Sequence, residues 1–378
     1  MPAIARRNLF QDKVKLGMAL VGIVFSVGLV TLQFGLLLGT MYNASGIVDH
    51  AGCDVWVMQK STRNLDLCDV MNERRYYQVA ATPGVAWAER LIVQFTMWKL
   101  PDGRQENTSI VGLEPYSRLQ LPWEMAEGRR EDIWRCGGVI IDERERVRFG
   151  QPGRPLALND QPEIHHHRAR IVGFSRGVGS FTTSPYVFAD YKRALDYAMM
   201  NQHQTKFVVL KAKPGITPEQ LRDAVRARVP DLDAWTTAEF SFKTRWYWLY
   251  GTGMGLGVIF GASLGTLVGV VIVGQTMYSA TMERLREYGT LKALGMNNFT
   301  LALIIVRQSL MAGILGYVLA SIMAWYLGQR LPDLNVPVQV PPGLIGAMFF
   351  VTVGICVAAS VTSVLKVFRL EPAIVFRS

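Results

Sequence analysis

Between Lys15 and Asp49 this sequence carries no charged residue, and the same holds from Trp246 to Met282, from Gln308 to Gln329 and from Leu334 to Leu365. About 20 mostly apolar residues in a helix suffice to cross the hydrocarbon core of a bilayer, so each run predicts a membrane span. Only lipid or other helices can surround a helix that is apolar on every side. The predicted fold class is therefore an α-helical membrane protein with four transmembrane helices. A large α+β extracytoplasmic domain is inserted between helices 1 and 2. The first run is too long for a cleaved signal peptide, and no small-residue cleavage motif closes it.

Charge separates the same regions. Residues 41–245 hold 28 of the 40 Lys+Arg and 25 of the 30 Asp+Glu, an ordinary balance for a water-exposed domain. The remainder holds 12 basic and 5 acidic residues, set beside the apolar runs. Such a surplus marks the cytoplasmic edge of a membrane protein rather than a nucleic-acid surface, and no nucleic-acid partner is expected. Arg6, Arg7, Lys13 and Lys15 precede the first run; Arg284, Arg286 and Lys292 lie between the second and third; Lys366, Arg369 and Arg377 follow the fourth. Only Arg330 lies between the third and fourth. The positive-inside rule then predicts that both termini and the 279–298 loop are cytoplasmic, with the 41–245 domain on the far side. The expected spans are 16–40, 248–275, 299–327 and 343–365. They are joined by a short helix at 279–297 and a short outer loop at 328–342, and flanked by segments 1–15 and 366–378.

Within the domain, Asp54–Met58 reads as a strand, and Asp69–Ala81 as a helix ending before Pro83-Gly84. Arg90–Leu100 and Gln105–Leu113 predict a hairpin around Pro101-Asp102-Gly103. Val139–Asp142, Leu156–Leu158, Ala169–Phe174 and Lys206–Lys213 are further strand candidates. Pro218–Val229 predicts an amphipathic helix capped by Thr217. In the second span Gly257, Gly261, Gly265 and Gly269 recur every four residues, which places them on one helix face where another helix can approach closely. That partner is expected to be a helix of the same chain or of a second copy. Gly35 and Gly39 repeat the spacing once in the first span.

The most informative stretch is Tyr278-Ser-Ala-Thr-Met-Glu-Arg-Leu-Arg-Glu-Tyr-Gly-Thr-Leu-Lys-Ala-Leu-Gly295. Met282, Leu285, Tyr288, Leu291 and Leu294 fall at near-helical spacing and predict a short amphipathic helix, with Glu283, Arg284, Arg286 and Glu287 on its charged side. Gly295 and Asn298 mark the turn into the third span. A charged helix held between two spans offers a cytoplasmic partner something to push.

Glu287, Gly289, Leu291, Lys292, Ala293, Leu294 and Gly295 resemble the coupling region of the MacB/FtsX family of ABC transporter permeases. Thr237-Ala-Glu-Phe240, Tyr247-Trp248, Gly274-Gln275-Thr276 and Glu371-Pro372-Ala373 are similar to its DevC branch, as are Ile4-Ala-Arg-Arg-Asn-Leu9 and Gly22-Ile-Val-Phe25. Gly274 and Gly289 stand where Tyr and Ala are expected in the cyanobacterial glycolipid permeases of that branch, so a glycolipid substrate is not carried over. The resemblance implies a permease in the bacterial inner (plasma) membrane, with a homodimer of permeases bound to separate ABC ATPase subunits. It implies mechanotransmission, in which ATPase closure is relayed through a coupling helix to the periplasmic domain. A membrane-fusion adaptor and an outer-membrane channel complete the export path. The residues this assigns to ATPase coupling are Glu283, Arg284, Arg286, Glu287, Tyr288, Gly289, Lys292 and Gly295. The other reading within the family is an FtsX-like regulator that moves no cargo and activates a periplasmic cell-wall hydrolase. A domain of about 200 residues resembles the exporter type more closely.

No Gly-x-x-x-x-Gly-Lys-Ser/Thr sequence occurs, so ATP hydrolysis is expected from a partner subunit, and neither an enzymatic activity nor a cofactor is expected of this chain. Three adjacent histidines, His165-His166-His167, cannot all face one ion from a strand or helix, and they read as a polar turn rather than a metal site. Cys53 and Cys68 could close a disulfide in an oxidising compartment, but free, packed thiols are the preferred reading, and Cys136 leaves an odd number in the domain. Arg307, two to three turns into the third span, is read as an arginine reaching back to the cytoplasmic interface.

Overall fold

The computed structural model describes residues 13–135, 137–180, 184–331 and 336–369. Cys136 and the Ile4–Leu9 and Glu371–Ala373 motifs lie outside the described residues. The chain divides into two compact units. One holds Thr40–Met254. The other combines the residues up to Gly39 with those from Gly255 onward.

The helices are α1 (Lys13–His50), α2 (Arg74–Ala80), α3 (Arg146–Phe149), α4 (Tyr191–Tyr197), α5 (Pro218–Arg228), α6 (Thr237–Trp246), α7 (Met254–Glu283), α8 (Leu285–Ala293), α9 (Asn298–Arg330) and α10 (Pro342–Phe368). Among the described residues α1, α7, α9 and α10 are the four long and apolar enough to cross a membrane. They make this a multi-pass membrane protein, with the α+β domain between the first of them and the other three. At about 1.5 Å per residue, the 38 residues of α1 run well beyond a hydrocarbon core of about 30 Å. Its last turns leave the bundle, and Ile47 and Val48 are buried in the domain core. The domain likewise extends past residue 245: α6 passes into a π turn at Tyr247–Gly251, and Gly253, with φ +75°, breaks the chain before α7.

The domain is built on a mixed sheet of 11 strands. In chain order the strands are β1 (Val55–Gln59), β2 (Met71–Asn72), β3 (Val85–Lys99), β4 (Gln105–Leu113), β5 (Met125–Gly128), β6 (Gly138–Asp142), β7 (Glu163–Ile164), β8 (His167–Arg168), β9 (Arg170–Ser175), β10 (Tyr186–Asp190), β11 (Gln204–Thr205), β12 (Phe207–Ala212) and β13 (Leu232–Thr236). The order across the sheet is β13-β1-β12-β3-β4-β10-β6-β9-β5, with β7 and β8 attached to β3, while β2 and β11 form a separate pair. The β4–β10 and β6–β9 pairs are parallel and the rest antiparallel. Successive side chains of a strand point to opposite faces, and here both faces are covered. In β10, Tyr186 and Phe188 enter one core while Val187 and Ala189 enter the other. In β6, Ile140 enters the first core and Val139 and Ile141 the second.

Local signals are obeyed where they are strong. Pro101-Asp102-Gly103 closes the β3–β4 hairpin with Gly103 at φ +88° and Lys99 opposite Gln105. Thr217 and Gln220 form a reciprocal capping box on α5. Two expectations fail. Asp69–Ala81 is not one helix: Met71-Asn72 instead pairs with Gln204-Thr205, burying Met71, and the helix starts at Arg74. Leu156–Leu158 is not a strand, because the Leu156 amide donates to the Arg146 carbonyl and the Ala157 amide to the Asp160 carboxylate. Local hydrogen bonds there occupy the groups a ladder needs.

In the membrane unit α1 packs through Ala19, Ile23, Val27 and Val30 against Ala262, Val273 and Met277 of α7, Ala312 and Ala320 of α9, and Ile355 and Ala359 of α10. Thr31, Thr266, Thr276, Thr281 and Thr352 each donate to the carbonyl four residues back, so their hydroxyls are satisfied without water.

Candidate coupling site

The segment linking α7 to α9 is a separate helix, not a tail of either span. Arg284 leaves the helical path at φ −102°, ψ 17° and becomes the N-cap of α8. At the other end the Gly295 amide donates to the Lys292 carbonyl and the Met296 amide to the Leu291 carbonyl, with Gly295 at φ +91°. This is a Schellman closure. It requires a residue tolerant of positive φ, and it brings Met296 over Leu291. The next helix is capped by Asn297, whose side chain accepts from the Phe299 amide; the expected punctuation at Asn298 is thus shifted by one residue.

Tyr288 anchors α8. It is 3% exposed and packs with Leu301, Ile304 and Ile305 of α9 and Val367 of α10; Leu291 and Met296 flank the cluster, and Gly289 is buried beside it. The expected apolar stripe is only partly realised. The break at Arg284 takes Met282 out of register, and the closure at Gly295 leaves Leu294 79% exposed.

The charged side is also narrower than the sequence indicates. Glu283 pairs with Lys15 of α1. The Arg284 guanidinium is largely sheltered and lies 3.9 Å from Glu287. Lys292 donates to the Phe368 carbonyl at 3.1 Å, tying α8 to the end of α10. Arg286 and Glu287 are exposed, and so are Leu294 and Phe299, the latter 71% exposed. The sequence pattern does not mark those two apolar side chains as open. Their signal is their position on either side of a helix break, where neither stripe can continue.

The glycine row divides in the same way. A Cβ at Gly269 would meet Ser26, and one at Gly261 would meet Gln33. At Gly265 it would stand 3.2 Å from Leu29 and Val30. All four neighbours belong to α1 of the same chain, and the Ser26 hydroxyl donates to the Gly265 carbonyl at 2.7 Å. Gly257 has nothing near it. Gly35 and Gly39 serve a different purpose from helix pairing. The extended segment Val336–Val340 lies against them, its Gln339 amide donating to the Gly35 carbonyl.

Other candidates resolve simply. His165 and His166 form the turn between β7 and β8, both at positive φ, and no described group of three or more His, Cys, Asp or Glu is arranged to hold a metal. Cys53 and Cys68 are free and buried; burial pushes their thiols up to about 12 and about 11, so neither is a ready nucleophile. Arg307 is exposed on α9.

Residues 16–228, more than half of the chain, match the MacB-like periplasmic core domain, and residues 240–372 match the FtsX-like permease C-terminal domain. An uncharacterized ABC transporter permease of Mycobacterium tuberculosis is 26% identical over 358 residues, covering 94% of this chain and 93% of its own. Another from Methanocaldococcus jannaschii is 26% identical over 183 residues, covering 45% and 44%. The periplasmic region of MacB from Actinobacillus actinomycetemcomitans aligns with 50% of this chain and 90% of its own, at 9% identity and a TM-score of 0.37. With its four apolar helices, its inserted domain and these two matched regions, the chain belongs to the MacB/FtsX family of ABC transporter permeases.

Proposed function

We propose that this permease works by mechanotransmission. Membership of the family implies an ATPase partner, and in this reading the partner is a separate subunit that grips α8 in each half of a permease homodimer. The stroke passes through α8 and the spans it is tied to, and drives the extramembrane domain on the outer face of a bacterial inner membrane. Export then proceeds with a membrane-fusion adaptor and an outer-membrane channel. The observation that carries the reading is the build of α8. Tyr288 and the Lys292–Phe368 bond fasten it to two spans, while Arg286 and Glu287 of α8, Leu294 at its end and Phe299 in the first turn of α9 are exposed. A helix fastened to two spans transmits force; a solvated loop does not. The docking residues are therefore Arg286 and Glu287, with Leu294 as apolar contact. Glu283, Arg284, Lys292 and Gly295 hold the helix in shape. Charges at the rim of such an interface set register and specificity.

The test is the full-length chain in lipid with its ATPase. Arg286→Glu together with Glu287→Lys is expected to lower co-purification of the ATPase and ATP turnover at least tenfold. Reversing the exposed Arg129–Glu131 pair of the domain should change neither. Retention of partner and turnover at the control level would remove α8 as the transmission.

A further inference from the structure

Asp66 lies in the loop between β1 and β2, is 5% exposed, and plays no part in the coupling site. Its carboxylate faces the sheet and the π turn together. The Tyr186 phenol of β10 donates to Oδ1 at 3.4 Å, and the Trp248 indole of the π turn faces the same carboxyl, while Oδ2 closes no short hydrogen bond. Among the described residues the groups acting on it are that phenol, that indole and its own backbone amide, and none carries a charge. The phenol itself, met by Ser180, is held well above the ordinary tyrosine range by burial and by Asp66, so it stays neutral. The rest of the loop is tied down independently: the Asn64 side chain accepts from the Leu67 amide, and Lys206 donates to the Cys68 carbonyl. A carboxylate taken into such a site without a cation is costly, whereas the neutral acid is not.

We propose that Asp66 is a proton-binding site, and that the bound proton holds the loop and the π turn of Tyr247–Gly251 on the sheet. The π turn is the last element of the domain before α7, so the proton acts on the segment through which the second span enters the domain. Burial raises the Asp66 carboxyl from 3.8 to about 6. A raised carboxyl binds its proton more tightly in the docked form than in the opened one. Docking is therefore strongest below the ordinary value of 3.8 and weakens as pH rises through about 6. From these two values, local opening should increase about fourfold between about pH 5.5 and about pH 7.5.

Hydrogen exchange of the full-length protein in lipid nanodiscs, corrected for intrinsic rates, reads this directly in peptides covering residues 60–70 and 244–252. Wild type should lose about fourfold in protection over that pH interval, with no matching change in α5. Asp66→Asn should be flat, because the amide mimics the protonated acid. Tyr186→Phe removes a donor to the anion and should move the midpoint to higher pH. Wild-type protection independent of pH, or an Asp66→Asn variant that keeps the dependence, overturns the proposal. If the Asn variant does not fold, an unmoved midpoint in Tyr186→Phe overturns it instead.

Discussion

The two units of this chain bury different kinds of side chain and expose different ones. In the extramembrane domain the large side chains are inside: Trp56, Trp98, Phe149, Phe174, Tyr186, Phe188, Phe207 and Phe240 are all fully buried. In the membrane unit the buried side chains are aliphatic and smaller, Ala19, Ala312, Ala320 and Ala359 interleaved with Ile23, Val27, Val30 and Ile355, with glycines at the α1–α7 contact. Leu256, Ile259, Phe260, Leu264 and Leu267 stand outward on α7. Water expels apolar surface and so drives the large residues of the domain inward. Lipid does not distinguish a leucine outside from one inside, so the bundle coheres through close backbone approach and interhelical hydrogen bonds. The Ser26–Gly265 bond is of that kind.

Substitutions should therefore injure the two units in opposite ways. The largest effect is expected for Phe188→Ala in the central strand β10. Emptying a fully buried ring site should cost about 3–5 kcal/mol in chemical unfolding of the domain signal. Enlargement rather than truncation is the injury in the bundle. Gly269→Leu collides with Ser26 and should cost about 1–3 kcal/mol, read as a lowered midpoint of unfolding in mixed micelles. Gly257→Leu, at a position with open space around it, should leave that midpoint in place. Equal damage at Gly257 and Gly269 would mean that a second copy packs on the row at Gly257, where α1 does not reach. A small effect is also expected where neither kind of packing operates. Gly295→Ala strains the Schellman closure of α8 by about 1 kcal/mol without touching a core, and should reduce ATPase coupling more than it reduces thermal stability.

Features that depend on near neighbours along the chain are legible in the sequence. The runs without charge become α1, α7, α9 and α10; Thr217 caps the helix that starts at Pro218; Pro101-Asp102-Gly103 turns the hairpin. The segment between the second and third spans is recognisable as a helix, with Gly295 at its end. The inward and outward assignments within it are less secure. The sequence places Leu294 on the buried stripe, yet it is open; it places Arg284 and Glu283 on the open face, yet both are engaged. Periodicity presumes one unbroken helix, and the break at Arg284 resets the phase.

Sequence alone determined which segments are apolar enough for lipid, where the strongly capped helix after Thr217 starts, and that a charged α+β domain is inserted after the first span. Those properties rest on composition, on periods of two and of 3.6 residues, and on caps a few residues apart. Tertiary structure decided that Gly261, Gly265 and Gly269 meet α1 while Gly257 does not, that Met71-Asn72 is a strand because Gln204-Thr205 lies beside it, and that Asp66 is enclosed by Tyr186 and Trp248. The Tyr186 and Trp248 positions are 120 and 182 residues from Asp66 along the chain. No local preference of an aspartate encodes that enclosure; it exists only once the sheet has brought β10 and the π turn to the same place.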